Sequence, residues 1–302
     1  MAMDIKRLKQ QWAMASALKR VIVVNGVVWI ALRLAVIVMM FGGAPNPEWD
    51  VLRWVEMPSY LPDLARYPWT ILTYMFAQYD VLHIVFNMLW LYWFGMIFLD
   101  IATPRRFFGL YLLGGIGGAL LYLTAYNLLP FFSGTHGVLI GSSAAVIAIV
   151  TATAITVPDY KIELLFLGAV SLKWVAIVTI LIDLLSVTGA NAGGHLAHLG
   201  GALVGVIYAL SMRHGHDITA PLNSIIDRIV NLFRRKPRMN KFQNYRRSTS
   251  TPPPRKPQRG SRVSREDQDE LDAILDKIKK SGYTSLTPEE RKRLFDVSRR
   301  IK

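Results

Sequence analysis

Six stretches of this sequence are apolar for long enough to constrain the rest of the fold. A bilayer core about 30 Å thick is crossed by roughly 20 apolar residues of helix, because a backbone group without a hydrogen bond in hydrocarbon costs several kcal/mol. The runs are Val21 to Gly42, interrupted only by Asn25 and Arg33, then about Val81 to Leu99, Phe107 to Leu129, Val138 to Val157, Trp174 to Val187 and His195 to Met212. The first is too long for the apolar part of a signal peptide and has no small-residue cleavage pattern behind it. The pattern predicts an all-α polytopic membrane protein with six transmembrane helices.

Lysine and arginine asymmetry orients those helices. Lys6, Arg7, Lys9, Lys19 and Arg20 precede the first run, Arg105 and Arg106 join the second to the third, Lys161 and Lys173 join the fourth to the fifth, and Arg213 follows the sixth. On the other side, the loop from Gly43 to Trp69 sets two arginines among Glu48, Asp50, Glu56 and Asp63, and the two short loops carry no charge. Both termini are therefore expected on the cytoplasmic side. The formal charge of +14 agrees, because residues up to Met212 carry 12 Lys/Arg against 10 Asp/Glu and the remainder carries 23 against 11. Basicity concentrated in a cytoplasmic tail suits an anionic leaflet. With no zinc spacing and no aromatic-and-basic sheet motif, no nucleic-acid partner is expected. The absence of cysteine excludes a disulfide framework, a thiolate zinc site, an iron–sulfur cluster and a cysteine nucleophile.

Polar groups inside such runs are costly and point to function. His83 and Asn87 fall one turn apart on one face of the second run. Gly141-Ser142-Ser143-Ala144 lies near the start of the fourth, and His195-Leu-Ala-His198-Leu-Gly200-Gly201 opens the sixth. Ala197, Gly201 and Gly205 follow one another at four-residue spacing, which lets helix backbones approach closely. The glycines of the third run, Gly114, Gly115, Gly117 and Gly118, read as bundle packing. Each polar group also has a plain structural reading: serines as packing residues, His195 as a solvated cap, Asp183 as an acceptor between helices, His83 with Asn87 as a clamp. The shared extracytoplasmic depth of the serines, histidines and asparagine favours chemistry. A serine hydroxyl becomes a nucleophile when a neighbouring base takes its proton, and histidine is the usual base. Amide hydrolysis also needs donors for the tetrahedral oxyanion, which a His/Asn pair can supply.

Three motifs in order carry a family resemblance. Tyr67-Pro68-Trp69-Thr70-Ile71-Leu72-Thr73-Tyr74-Met75-Phe76 with His83-Ile-Val-Phe-Asn87, then Gly141-Ser142-Ser143-Ala144, then Ala197-His198-Leu199-Gly200-Gly201, resemble the rhomboid intramembrane serine proteases over roughly Tyr67 to Met212. The resemblance implies a six-helix rhomboid core with a water-filled cavity open to the extracytoplasmic side. It implies Ser143 as nucleophile rather than Ser142, and His198 as general base and acid rather than His195. It further implies an oxyanion site of His83, Asn87 and the Ser143 backbone amide, and no carboxylate third member, so Asp183 stays unassigned. No cofactor and no metal is expected. Departures from the common pattern fall at Ala144, Ile147, Gln78 and Asp100, none of them a proposed catalytic group.

Along the chain this gives a basic N-terminal segment (1–20), a six-helix core (21–212), a basic amphipathic interfacial helix (213–236), a Pro/Ser/Lys/Arg-rich disordered linker (237–263) and a small cytoplasmic helical pair (264–302). The interfacial helix rests on the stripe Leu222, Ile225, Ile226, Ile229, Val230 and Phe233 before Arg234-Arg235-Lys236. The second helix of the pair has a start signal in Thr287-Pro288-Glu289-Glu290. The pair is read as a docking appendix, resembling tails on some bacterial rhomboid relatives. The expected function is intramembrane cleavage of single-span membrane proteins in a bacterial cytoplasmic membrane, with the bilayer and anionic lipid as the other partners. The alternative is a catalytically inactive rhomboid-like scaffold that binds membrane proteins.

Overall fold

The computed structural model describes residues 16–164, 168–233, 265–281, 285–292 and 294. Helix α1 (Ala17–Phe41) starts at Ser16, whose hydroxyl accepts from the Lys19 N–H at 3.3 Å and satisfies one of the amides a first turn leaves open. The helix therefore takes in Lys19 and Arg20, and residues 1–15 of the expected N-terminal segment lie outside the described residues. The long loop that follows folds into α2 (Pro47–Leu52), β1 (Met57–Pro58), α3 (Leu61–Arg66) and α4 (Thr70–Thr73). Its aromatic residues pack on one another: Trp54 stacks on Trp69 with ring centroids 6.5 Å apart, and Tyr67 meets both edge-on.

Helix α5 (Val81–Ile101) is followed at once by α6 (Pro104–Leu128), which Thr103 caps and Pro104 starts. After a 3₁₀ turn come β2 (Val138–Leu139) and α7 (Ser143–Thr156), the hairpin β3 (Lys161–Leu164) and β4 (Gly168–Ser171), then α8 (Leu172–Leu185), α9 (Ala192–Arg213) and α10 (Ala220–Phe233). Each of the six apolar runs contributes a helix, although the fourth opens with a strand. Of these helices, α1, α5, α6 and α9 are long and apolar enough to cross a membrane. Helices α7 and α8 have 14 residues each, about 21 Å at 1.5 Å per residue. Large apolar side chains such as Leu34, Phe86, Leu181 and Leu185 face outward, as a lipid solvent requires. The protein is a multi-pass integral membrane protein.

The fourth run differs most from its expected extent. Hydropathy predicts helix from Val138, whereas α7 begins at Ser143. Val138 and Leu139 instead pair antiparallel with Pro58 and Met57 of the first loop. Gly141 then adopts φ +129°, a region closed to most side chains, and its N–H donates to the Tyr74 carbonyl at 3.0 Å. Extended backbone next to a bilayer is tolerated where protein covers it, and Leu139 and Ser142 are buried. The helix thus begins inside the bundle.

Helix α7 is buried at every position from Ala144 to Ala154 and packs against α5, α6, α8 and α9. Small residues make that enclosure possible. A Cβ at Gly205 would sit 2.5 Å from the Ala148 carbonyl oxygen and one at Gly200 2.5 Å from that of Gly117, while a Cβ at Gly201 would run into the carbonyl of Ala144. The four-residue spacing of Ala197, Gly201 and Gly205 is the imprint of this contact. Gly201→Val is expected to lower stability by about 1–3 kcal/mol or more through overpacking against backbone that cannot yield. A fluorescence-monitored thermal melt in detergent checks it, and an unchanged melting temperature would contradict the close approach.

Helix α10 is tied to the start of α6. Arg106 donates to Asp217 Oδ2 at 2.8 Å, and the Thr219 N–H and hydroxyl donate to Asp217 Oδ1 at 2.9 and 2.6 Å. Burial would raise the Asp217 carboxyl, but these donors together outweigh it and hold it below the usual range. A turn thus separates α9 from α10 where one helix from 213 to 236 is expected, and Arg234 to Lys236 lie outside the described residues.

The chain divides into two compact units, Met1–Lys236 and Pro237–Lys302. In the second, α11 (Arg265–Ser281) buries Ile274, and Lys277 pairs with Glu290 at 2.8 Å. A reciprocal capping box starts the next turn: the Thr287 N–H donates to Glu290 Oε2 at 2.8 Å and the Glu290 N–H to Thr287 Oγ1 at 3.3 Å. The expected linker 237–263 lies outside the described residues.

Candidate active site

The two adjacent serines have different surroundings. Ser142, fully buried, has its hydroxyl engaged by Gln78 Nε2 at 3.2 Å. Ser143, the first residue of α7, lines a cavity of about 300 Å³ together with Asn87, Ile147, Asp183 and His198. Its backbone amide is among the first-turn N–H groups that α7 leaves without intrahelical partners, at the positive end of the helix dipole. A serine on a cavity wall beside such donors is an arrangement that suits nucleophilic attack on a carbonyl.

Helix α5 supplies the His/Asn pair. Asn87 is buried, lines the same cavity, and donates from Nδ2 to Gln78 Oε1 at 2.8 Å. His83, one turn earlier, stands over Gly141, where a Cβ would approach the imidazole Cε1 to 2.7 Å. The glycine before the serines therefore makes room for His83 as well as for the turn. His83 is not among the residues lining the Ser143 cavity.

Helix α9 brings His198 to the cavity wall, and α8 brings Asp183 beneath it. Asp183 Oδ1 lies 2.8 Å from His198 Nδ1 and 2.8 Å from His195 Nδ1. This corrects the sequence-based expectation for His195 and extends the one for Asp183. His195 is not a solvated cap: its side chain is 22% exposed and shares the carboxylate. Asp183 does accept between helices, yet one of its partners is the histidine assigned as base. With Nδ1–H donated to Asp183, the second ring nitrogen of His198 keeps a free lone pair. Among the described residues no hydrogen bond joins Ser143 to His198, so the structure brings the two to one cavity without closing that contact. Catalytic hydrogen bonds commonly tighten only when substrate is bound.

A polar network beneath the site was not legible as a unit in the sequence. Gln78 Nε2 donates to Asn25 Oδ1 at 3.0 Å, and Asn25 Nδ2 donates to the Val21 carbonyl at 2.9 Å and to Tyr111 at 3.2 Å. Tyr111 in turn donates to the Met75 carbonyl at 2.7 Å, and Tyr74 to the Gly115 carbonyl at 2.6 Å. Asn25 and Gln78 are both buried. The signal for them was the interruption of an apolar run by one amide and the departure at Gln78.

Comparison with known proteins gives the family. The chain matches the Rhomboid domain over residues 65–215, half its length. Residues 262–300 match a family of unknown function (DUF6576). The chain is similar to the presenilin-associated rhomboid-like protein A, mitochondrial, of Danio rerio, 29% identical over 150 residues that cover 47% of this chain and 36% of the relative. It is also similar to the RHOMBOID-like protein 12, mitochondrial, of Arabidopsis thaliana, 32% identical over 159 residues that cover 48% and 47%. The presenilin-associated rhomboid-like protein, mitochondrial, of Homo sapiens is 23% identical over 146 residues, covering 47% and 37%. The chain thus spans less than half the length of these relatives.

Proposed function

The chain belongs to the rhomboid family, and from that premise we propose that it is an intramembrane serine endopeptidase that cuts single-span membrane proteins within or beside their transmembrane helix. The observation that carries the reading is the meeting of Ser143, Asn87 and His198 on one cavity, with the imidazole held by Asp183. In this reading His198 takes the Ser143 hydroxyl proton as Oγ attacks the scissile carbonyl, then gives it to the leaving amine. The Ser143 N–H and Asn87 Nδ2 donate to the oxyanion, with His83 beside them. Water, deprotonated by the same imidazole, then hydrolyses the acyl-enzyme and frees Ser143. A helical substrate hides its amides, so small or helix-weakening residues near the cut favour cleavage.

The topology in this reading is six crossings with both termini cytoplasmic, supported by the Lys/Arg asymmetry and by protein covering the extended backbone that precedes α7. The membrane is a bacterial cytoplasmic membrane, although the curated relatives named above are mitochondrial. Anionic lipid is the partner of the basic tail, toward which α10 turns exposed Ile225, Ile229 and Leu232.

Purified protein in liposomes is expected to cut a single-span reporter, and His198→Ala to leave it intact. Stable capture of the reporter without any cut is what an inactive scaffold would give. The floor of the site makes a finer prediction. Gln78→Leu keeps the bulk but releases Asn87 and leaves Ser142 and Asn25 short of a partner. The turnover number is expected to fall about tenfold or more with KM little changed, because the donor matters in the transition state and not in the bound substrate. Steady-state kinetics check it, and an unchanged turnover number would remove Gln78 from the site.

A further inference from the structure

Asp183, His195 and His198 do more than orient one imidazole. Their ligating atoms all lie within 4.8 Å of one another, and Asp183 keeps its second oxygen, Oδ2, buried without a hydrogen-bond partner among the described residues. The aspartate is 4% exposed, so a carboxylate oxygen in that position is costly unless something satisfies it. Two imidazoles and a carboxylate are a donor set that suits zinc, which takes three protein ligands and a water where a site stays open. Zinc bonds of about 2.0–2.2 Å at tetrahedral angles separate ligand atoms by roughly 3.3–3.5 Å. To reach that, the 2.8 Å spacings from Oδ1 to each Nδ1 must open and the wider separations, within 4.8 Å, must close, which asks for side-chain movements of roughly 1 Å. The side chains of His195 and His198 are 22% and 20% exposed, and Asp183 and His198 line the cavity that also holds Ser143.

We propose that Asp183, His195 and His198 form an inhibitory zinc site that switches the protease off. The binding rests on the ligand geometry alone, whereas the inhibition rests on the catalytic reading above. Its chemistry follows from the imidazole tautomer. Without metal, His198 donates its Nδ1–H to Asp183 and offers the Nε2 lone pair to Ser143. Zinc at this position needs the Nδ1 lone pair, which becomes available when the ring proton moves from Nδ1 to Nε2, so no proton is lost overall. An imidazole protonated at Nε2 cannot accept the serine proton, so attack stops. Zinc is therefore an inhibitor here and not a cofactor of the reaction.

The test uses the full chain, purified without a polyhistidine tag, in two parallel measurements. Calorimetric titration of Ser143→Ala with Zn²⁺ reads binding in a protein that turns nothing over. Cleavage of a single-span reporter by wild type, across a buffered Zn²⁺ series, reads inhibition. Saturable single-site binding is expected, with inhibition over the same range that EDTA reverses. His195→Ala leaves the His198–Asp183 contact in place, so it is expected to keep most of the zinc-free activity. Both its zinc affinity and its inhibition should weaken by roughly tenfold or more. No saturable binding to Ser143→Ala would overturn the site, as would activation by zinc or equal inhibition of wild type and His195→Ala. Binding that depends on His195 in a chain that never cuts the reporter upholds the metal site and places the failure in the protease reading.

Discussion

Ser143→Ala is expected to abolish cleavage of a single-span reporter, whereas Ser142→Ala leaves a substantial part of it. The two residues are chemically identical neighbours, so the contrast comes entirely from where the backbone sets them. Gly141 turns the chain with φ +129°, which sends Ser142 down onto Gln78 and leaves Ser143 at the cavity wall. Removing a serine nucleophile from a dyad-type hydrolase costs on the order of 10³-fold or more in turnover, with substrate binding retained. Losing Ser142 removes one hydrogen bond to Gln78, about 1 kcal/mol of net stability. The measurement is the turnover number on one reporter for both variants, with KM reported beside it. A larger loss from Ser142→Ala would exchange the roles, and activity surviving both changes would exclude serine chemistry.

Asp183→Asn carries the second largest effect and touches a residue the sequence pattern left unassigned. The carboxylate accepts from His198 Nδ1 at 2.8 Å, which fixes both the ring orientation and the tautomer with a free Nε2. An amide of the same shape can present its NH₂ to that nitrogen and so stabilise the wrong tautomer. In serine–histidine–aspartate triads that change costs about 10⁴-fold in turnover. The shared bond to His195 divides the carboxylate's hold here, and a loss of roughly 10²-fold or more is expected. The loss should appear in the turnover number with KM near the wild-type value, because the interaction gains strength as the imidazole becomes charged. Wild-type turnover in Asp183→Asn would make the contact structural only.

The extent to which this could be read from residues alone follows the physics of each feature. Apolar runs of about 20 residues favour helices, which satisfy their own backbone groups in lipid, and each of the six contributes one. What hydropathy could not locate was the start of α7. Val138 to Ile140 are as apolar as the helix that follows, and only pairing with Met57 and Pro58 some 80 residues away diverts them into a strand. The small-residue spacing of α9 translated directly into contact with α7, because a glycine every fourth residue has few other uses in a span. Asp183 and His195 are silent in the sequence for one reason. Their meaning lies in a shared hydrogen bond between α8 and α9, and neither spacing nor residue type shows that two helices will face each other. Gln78 illustrates the converse. It stood out as a departure in a loop, and the structure makes it the hub that joins Asn25, Ser142 and Asn87.

If His198 activates Ser143 within the cavity, covalent labelling of the serine reads that activation without a substrate. A fluorophosphonate probe is applied to the protein in liposomes, and the modified peptide is identified by mass spectrometry. A single adduct on Ser143 is expected, lost in His198→Ala and retained in Ser142→Ala. An adduct on Ser142, or an adduct on Ser143 that persists undiminished without His198, would contradict it.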